Sequence, residues 1–318
     1  MTQTYASEKP SIQRPGPPSV SVVIPALNEA RNLPHVFPLL PTNVKEVILV
    51  DGGSVDDTIE VARRLWPSII VVEQTRTGKG NALACGFAAC TSDVIVMIDA
   101  DGSTSPAEIP AFVDALVAGA DFAKGSRFSP GGGSHDITWL RRQGNRGLNS
   151  FVNLLFGTKF TDLCYGYNAF WRRLLPALDL PSTDLPGPTD GGKLWGDGFE
   201  IETLINVRVA ACGLRISEVP SLEYARIHGE SNLNAVRDGQ RVLRTIVREH
   251  RRRHATRSVA ARNGVLPSEQ AGPAIPRQRP FRRGMALNVS IPRARYADSA
   301  VARSAELDPS TSTVGEER

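Results

Sequence analysis

The 318-residue chain is short of cysteine and of long apolar runs, and each shortage removes a class of protein. Its four cysteines, Cys85, Cys90, Cys164 and Cys212, form no C-x-x-C pair, so neither a disulfide framework nor a structural zinc site is expected, and reduced thiols fit an intracellular enzyme. No stretch approaches the ~18 uninterrupted apolar residues of a membrane-spanning helix, so no integral membrane protein is expected. The opening residues, MTQTYASEKPSIQRPGPPSV, lack an apolar segment behind a basic start. No secretory signal is read there, and the cytoplasm is the expected compartment. No G-x-G-x-x-G follows the first apolar run and no G-x-x-x-x-G-K-[ST] occurs anywhere, which removes the dinucleotide-dehydrogenase and P-loop kinase readings.

What is present is globular. The chain is 41% hydrophobic and 22% charged, and its length allows one large domain or two modest ones. Its net charge of +4 is unevenly placed: residues 237–257 hold eight arginines against Asp238 and Glu249, a local +6, so the remainder is near −2. A nucleic-acid binder more often spreads a basic stripe over its folded domain, and no nucleic-acid partner is expected. Residues 1–19 and 255–318 are rich in Pro, Arg, Ser, Ala and Gly without sustained period and read as disordered tails. Between them, residues 20–24, 46–50, 69–72 and 94–98 read as strands alternating with helices, which implies an α/β domain with a parallel sheet. Ser54 and Asp57 suggest an N-cap for a helix ending near Trp66, and Ser105-Pro106-Ala107-Glu108 reads as a capping box. Both lie just past the carboxyl end of a strand, the edge where ligands sit in open α/β sheets.

Three strand ends on that edge are polar. In Met97-Ile98-Asp99-Ala100-Asp101-Gly102-Ser103, extended backbone would point Asp99 and Asp101 to one side and Ala100 to the other. Such a pair is either a capped turn with two solvated acids or a hard-oxygen site for Mg²⁺ or Mn²⁺, ions that also bridge phosphates. In Val50-Asp51-Gly52-Gly53-Ser54 the glycines permit close approach of a ligand, and Asp51 can accept the N–H of a nucleobase or a ribose hydroxyl. Residues 24–29 add Asn28 and Glu29. Gly78-Lys79-Gly80 reads equally as a loop into the helix 81–90 and as a means of setting Lys79 near a diphosphate.

Taken in order, Val23-Ile24-Pro25-Ala26-Leu27-Asn28-Glu29, residues 50–58, Gly78-Lys79-Gly80-Asn81-Ala82-Leu83 and Asp99-Ala100-Asp101-Gly102 resemble glycosyltransferase family 2, in its dolichyl or polyprenyl phosphate sugar synthase branch. The resemblance covers roughly residues 20–254. It implies a GT-A fold, a single Rossmann-like nucleotide-diphospho-sugar transferase domain with a mostly parallel sheet, a nucleoside-diphosphate sugar donor and Mg²⁺ or Mn²⁺. On the matching positions the donor would contact Pro25, Ala26, Asn28, Glu29, Asp51, Gly53, Lys79, Asp99 and Ala100. Asp99 and Asp101 would hold the metal, with His228 as a further ligand from Arg226-Ile227-His228-Gly229-Glu230-Ser231-Asn232. Residues 125–128, 141–149, 161–162 and 166–167 are similar to the acceptor region, which makes Arg127, Arg141 and Asn145 candidates to hold an acceptor phosphate. Asp197 and Glu202, in a segment where the family often has an acid, compete for the role of catalytic base beside the metal-linked Asp101. The chain departs from the branch at Ser103, where Gln is common, and at Tyr165 and Asn168 around Gly166.

A helix over 234–254 would gather Arg237, Arg241, Arg244, Arg248 and Arg251 in one arc and Val236, Leu243, Ile246 and Val247 in another, at about 100° per residue. Such a helix either packs on the domain by the apolar arc or lies on an anionic membrane surface at its inner face. The function expected from all this is metal-dependent, inverting transfer of a sugar to polyprenyl phosphate. A soluble hydroxyl acceptor, and a non-catalytic sugar-nucleotide-binding scaffold, are the alternatives.

Overall fold

Valine and isoleucine dominate residues 20–26 and 46–51, and their branched side chains favour the extended backbone that both adopt. The computed structural model describes residues 16–189, 192–229 and 235–262, with side chains from 238 to 254 in the last stretch. Of the expected tails 1–19 and 255–318, residues 1–15 and 263–318 lie outside the described residues, as do Glu230, Ser231 and Asn232. In chain order the elements are β1 Val20–Ala26, α1 Leu33–Val36, β2 Glu46–Asp51, α2 Thr58–Leu65, β3 Ile70–Glu73, α3 Lys79–Ala89, β4 Val94–Met97, α4 Ile109–Val117 and β5 Phe122–Ser126. They continue with β6 Gly133–Ser134, α5 Trp139–Phe156, β7 Asn168–Trp171, α6 Leu175–Leu178, α7 Ile201–Ala211, β8 Ile216–Pro220, β9 Leu222–Glu223 and α8 Ala235–Arg262.

The main sheet has the order β3-β2-β1-β4-β7-β5-β8, with β7 running against its neighbours β4 and β5. The expected α/β fold with a mostly parallel sheet is therefore present. β1 lies between β2 and β4, so the chain leaves it toward opposite sides of the sheet, and a crevice opens beyond the strand ends at that reversal. Register levels the ends: Ala26 pairs with Asp51, and Met97 with Val23, so Asp51 and the residues after Met97 emerge on one edge.

Alternate residues of the central strands feed two cores, as expected of a parallel sheet covered on both faces. Val22, Ile24, Leu49 and Val96 pack with α1, α2 and α4, whereas Val23, Ile48, Val50 and Met97 pack with α3, α6 and α7. Each such fully buried side chain contributes ~1.5–3 kcal/mol. Gly86 lets α3 approach closely, since a Cβ there would lie 2.4 Å from Val23 Cγ1 and 2.8 Å from Val50 Cγ2. A third cluster, with Val152, Phe156, Val207, Val242 and Ile246, joins α5, α7 and α8.

Three local expectations are corrected. Asp57, not Ser54, precedes α2, because Ser54 Oγ is taken up accepting from Asn28 N. The capping box at residues 105–108 does not form: Glu108 instead accepts from Ser221 Oγ and Leu222 N, and Pro106–Glu108 is a 3₁₀ turn ahead of α4. α8 runs to Arg262, eight residues past the boundary drawn at 254, and it packs by Val242, Thr245, Ile246 and Glu249. Of the three residues of the expected apolar arc whose side chains are described, Ile246 is fully buried, Val247 is half-buried and Leu243 is 44% exposed, while the Val236 side chain lies outside the described residues. Glu249 explains the rotation, because it is drawn inward to Arg208 on α7, 3.1 Å from Nε. The described helices include none long and apolar enough to cross a membrane.

Candidate active site at the carboxyl edge of the sheet

Past β1 the chain turns through Asn28, a non-glycine residue in the left-handed region at φ 58°. Asparagine tolerates that region because its short side chain bonds locally. Here Asn28 Oδ1 accepts from Val55 N at 2.8 Å, and Asn28 N donates to Ser54 Oγ at 2.9 Å, so the ends of β1 and β2 are tied together. Asp51 closes β2. Its Oδ2 accepts from Gly53 N (2.9 Å) and Ser54 N (3.0 Å), while its buried Oδ1 has no hydrogen-bond partner among the described residues. An unpaired buried acceptor costs about 1–3 kcal/mol, so this atom is poised for a donor from a ligand.

Four carboxylates and two cations form the centre of the site. Lys79, at the start of α3, bridges Asp99 Oδ1 at 2.7 Å and Glu202 Oε1 at 2.6 Å. Arg226, after β9, bridges Glu29 Oε1 at 2.9 Å and Asp101 Oδ2 at 3.0 Å. Asp101 Oδ1 accepts from Ser103 N and Oγ. Burial opposes the charge on Lys79, but Asp99 and Glu202 outweigh it and hold the ammonium above its ordinary range. Burial raises the pKa of Glu29, against the lowering effect of Asn32 and Arg226. The pair after β4 lies in a turn rather than in extended strand, so Asp99 and Asp101 meet different cations. The site carries two more carboxylates than cations, and carboxylate oxygens are the hard donors that Mg²⁺ or Mn²⁺ takes. Among the described residues no three His, Cys, Asp or Glu side chains stand together as a ready-made ligand set, because Lys79 and Arg226 separate the four carboxylates in pairs. His228 is turned elsewhere: its ring centroid lies 5.8 Å from that of His35, and its carbonyl accepts from Asn32 Nδ2.

The other candidates separate. Glu202 sits in the first turn of α7 beside Lys79, within the cluster. Asp197 does not: it is 1% exposed, and its two oxygens accept from Arg76 Nε at 2.7 Å and Nη2 at 2.9 Å. Its carbonyl accepts from Gly80 N at 2.9 Å, an approach open to glycine alone, since a Cβ on residue 80 would stand 1.8 Å from Gly196 O. Asp197 thus seats the loop before α7 on the N-terminus of α3 and positions Lys79.

Arg127 is 6% exposed and engaged on both sides, with Asp162 on Nε and Nη2 (2.7 and 2.9 Å) and Glu223 on Nη1 (2.9 and 3.0 Å). Burial works against its charge, and Asp162 and Glu223 hold the guanidinium above its ordinary range. Arg141 pairs with Asp136 at 3.2 Å. Asn145 donates to Asp162 Oδ1 at 2.9 Å. It is the first of three asparagines one turn apart on α5 that supply bonds to a segment with no strand partner. Asn149 donates to Thr161 O and accepts from Leu163 N, and Asn153 donates to Phe160 O and accepts from Phe160 N.

Arg76, Arg226, Asp162 and the fully buried Lys124 were not singled out as site residues by sequence reasoning. Arg76 stands three residues before Lys79, and Arg226 opens a quoted motif, but neither spacing announces its partner 121 or 125 residues away. Lys124 donates to Gly125 O (2.9 Å) and Tyr165 O (2.6 Å), bracing β5 to the segment before β7.

A seven-stranded sheet with a strand reversal, an unpaired acidic acceptor after β2 and an acidic cluster after β4 defines an α/β domain of the nucleotide-diphospho-sugar transferase class. The comparisons agree. Residues 21–178 match the profile described as glycosyl transferase family 2. The polyprenol monophosphomannose synthase of Mycolicibacterium smegmatis is 34% identical over 192 residues, covering 57% of this chain and 72% of that protein. The undecaprenyl-phosphate mannosyltransferase of Micrococcus luteus is 32% identical over 233 residues, covering 70% of this chain and 91% of that protein. Among solved structures, glucosyl-3-phosphoglycerate synthase from Mycobacterium tuberculosis, in complex with Mn²⁺, UDP-glucose and phosphoglyceric acid, aligns with TM-score 0.55 at 25% identity, over 73% of this chain and 80% of that one. The chain belongs to glycosyltransferase family 2 and has the GT-A fold of that structure.

Proposed function

We propose that this glycosyltransferase moves a sugar from a nucleoside-diphosphate sugar to polyprenyl phosphate, with inversion at the anomeric carbon and a divalent metal held by Asp99 and Asp101. The observation that carries the donor half is the four-carboxylate, two-cation cluster, set beside the unpaired Asp51 Oδ1 on one sheet edge. Asp51 accepts an N–H of the base, and Asn28 and Gly53 shape the turn around it. The bound metal supplies Lewis-acid neutralisation of the diphosphate. Lys79 and Arg226 exchange their carboxylates for diphosphate oxygens and stabilise the charge that grows as the anomeric C–O bond breaks. A phosphate oxygen of the acceptor forms the new bond from the opposite face. Already anionic, it needs no general base, whereas a hydroxyl acceptor would hand its proton to Glu202, the acid next to Lys79.

The lipid acceptor is supported by the names of the two mannosyl relatives and by the outer face of α5, where Trp139, Leu140 and Leu154 are 74%, 60% and 81% exposed. An apolar stripe beside basic residues suits contact with a membrane surface. A soluble acceptor is the second reading, favoured by the likeness to a synthase solved with phosphoglyceric acid. The test is incubation of the purified protein with labelled UDP- and GDP-sugars and Mn²⁺, with polyprenyl phosphate in one reaction and phosphoglycerate in another. Label entering the organic phase is expected. Label confined to a water-soluble product with phosphoglycerate selects the second reading, and no transfer to either acceptor refutes both.

A further inference from the structure

Across the sheet, Ile95, Phe170, Phe122 and Ile216 stand in register on β4, β7, β5 and β8, in or against the apolar core under α3, α6 and α7. Side chains two residues apart on a strand share a face, so the next row toward the site is Met97, Asn168, Lys124 and Glu218. Lys124 interrupts that face as a fully buried cation. Its ammonium bonds carbonyls, Gly125 O at 2.9 Å and Tyr165 O at 2.6 Å. Burial pushes its pKa down, as Arg127 does, while Asp162, Glu202 and Glu218 act against that shift. A charge so placed is costly, and an apolar residue would simply continue the row beneath it. The run it holds is fixed at successive carbonyls: Tyr165 O by Lys124, Gly166 O by Asn168 Nδ2 at 3.3 Å, and Tyr167 O by Gly125 N at 2.8 Å. Gly166, in the middle of that run, is the backbone wall of the Lys79–Glu202 pair. A Cβ there would stand 2.4 Å from Glu202 Oε1 and 3.4 Å from Lys79 Nζ.

We propose that Lys124 is a positioning residue for the donor's sugar: by holding Tyr165 O it sets Gly166 against Glu202 and fixes that carboxylate where a sugar hydroxyl meets it. Lys124 itself touches no substrate and acts through Gly166. The need for it arises when Lys79 turns from Glu202 to the diphosphate, since Glu202 then loses the cation now 2.6 Å away. What still locates the carboxylate is the Gly166 backbone beside it and the buried Lys124 charge beneath. The sugar hangs from the diphosphate that Lys79 takes, which brings its hydroxyls to the acid Lys79 has just left. This assignment rests on the nucleotide-sugar reading above, and the test tells the failure of one from the failure of the other.

The test compares the intact chain, K124M, G166A, K124M/G166A, E202Q and L116A, the last a core truncation on the opposite face of the sheet under α4. Each is titrated calorimetrically in Mn²⁺ with UDP and GDP, and with UDP-glucose and GDP-mannose. Expected are the same affinity for the bare nucleotide in all, and nucleotide-sugar binding at least about tenfold weaker in E202Q, K124M and G166A but not in L116A. A run released from Lys124 can draw back from the added methyl, so K124M/G166A should bind the nucleotide-sugar no more weakly than G166A alone. Nucleotide-sugar binding by K124M equal to that of the intact chain overturns the proposal, as do a loss shared by L116A and losses that multiply in the double variant. Weakened binding of the bare nucleotide in K124M gives Lys124 a merely structural role and overturns it as well. No nucleotide bound by the intact chain refutes the donor reading, and the proposal falls with it.

Discussion

Replacing Asp197 by Asn separates a structural acid from a catalytic one. Asp197 and Arg76 are 1% and 6% exposed, and their two-point pair is among the most enclosed in the molecule. The substitution keeps the side-chain volume, removes one charge and leaves the guanidinium buried against a neutral amide. Breaking a buried pair from one side costs ~3–5 kcal/mol. At ~2–4 °C per kcal/mol for a domain of this size, the melting temperature should fall by roughly 6–20 °C. Turnover measured well below that melt should stay within a few-fold of the parent, because Lys79, Glu202, Asp99 and Asp101 are untouched. Loss of a general base costs on the order of 10²–10⁴-fold in rate. Differential scanning calorimetry with initial-rate assays on the same samples reads both quantities. An unchanged melt with a rate loss of that size would refute the placement of Asp197 as a positioning residue. An Arg76→Met, Asp197→Leu double variant should recover much of the lost stability, since apolar groups of similar volume often replace a buried pair without net cost.

Asn149→Ala should leave Thr161 O and Leu163 N without their side-chain partner and cost about 1–3 kcal/mol in a urea melt. Lys79→Met should weaken nucleotide-sugar binding, read by calorimetry, since it removes the cation between Asp99 and Glu202 and leaves them unbalanced. Asp51→Ala should weaken free nucleoside binding while sparing pyrophosphate, a split visible in paired titrations. For Glu46, burial raises the pKa, but hydrogen bonds from Ser21, Thr91 and Ser92 win and bring it down to about 2. A depressed carboxyl contributes stability in full above its unfolded value near ~4.3, lost as pH falls toward the folded one. Glu46→Gln should therefore melt lower at neutral pH and show a flatter dependence between those two values.

Much of the fold was legible because its central strands are short branched runs bounded by polar turns. The donor edge was legible for the same reason: Asn28, Glu29, Asp51, Lys79, Asp99 and Asp101 each end a strand or begin a helix, and a parallel sheet brings such ends to one edge. Partners were not legible. Arg76 finds Asp197 across 121 residues, and Arg127 finds Glu223 across 96, through packing that no local spacing records. Periodicity misled at α8 for a related reason. Leu243 and Val247 mark an apolar arc, but the Arg208–Glu249 pair turns a different face inward. His228 shares a motif with Arg226, yet only Arg226 reaches the acids.

The proposed metal-dependent nucleotide site centres on Asp101. The most direct measurement is the melting shift produced by UDP and GDP with Mn²⁺ or with EDTA, on the parent chain and on Asp101→Asn. At a hundredfold excess over Kd a bound nucleotide adds ~2.7 kcal/mol. A shift of that order with one of the two nucleotides, present with Mn²⁺, absent with EDTA and absent in the variant, is the predicted result. An equal shift in EDTA, or one that survives the loss of the Asp101 carboxylate, would contradict it.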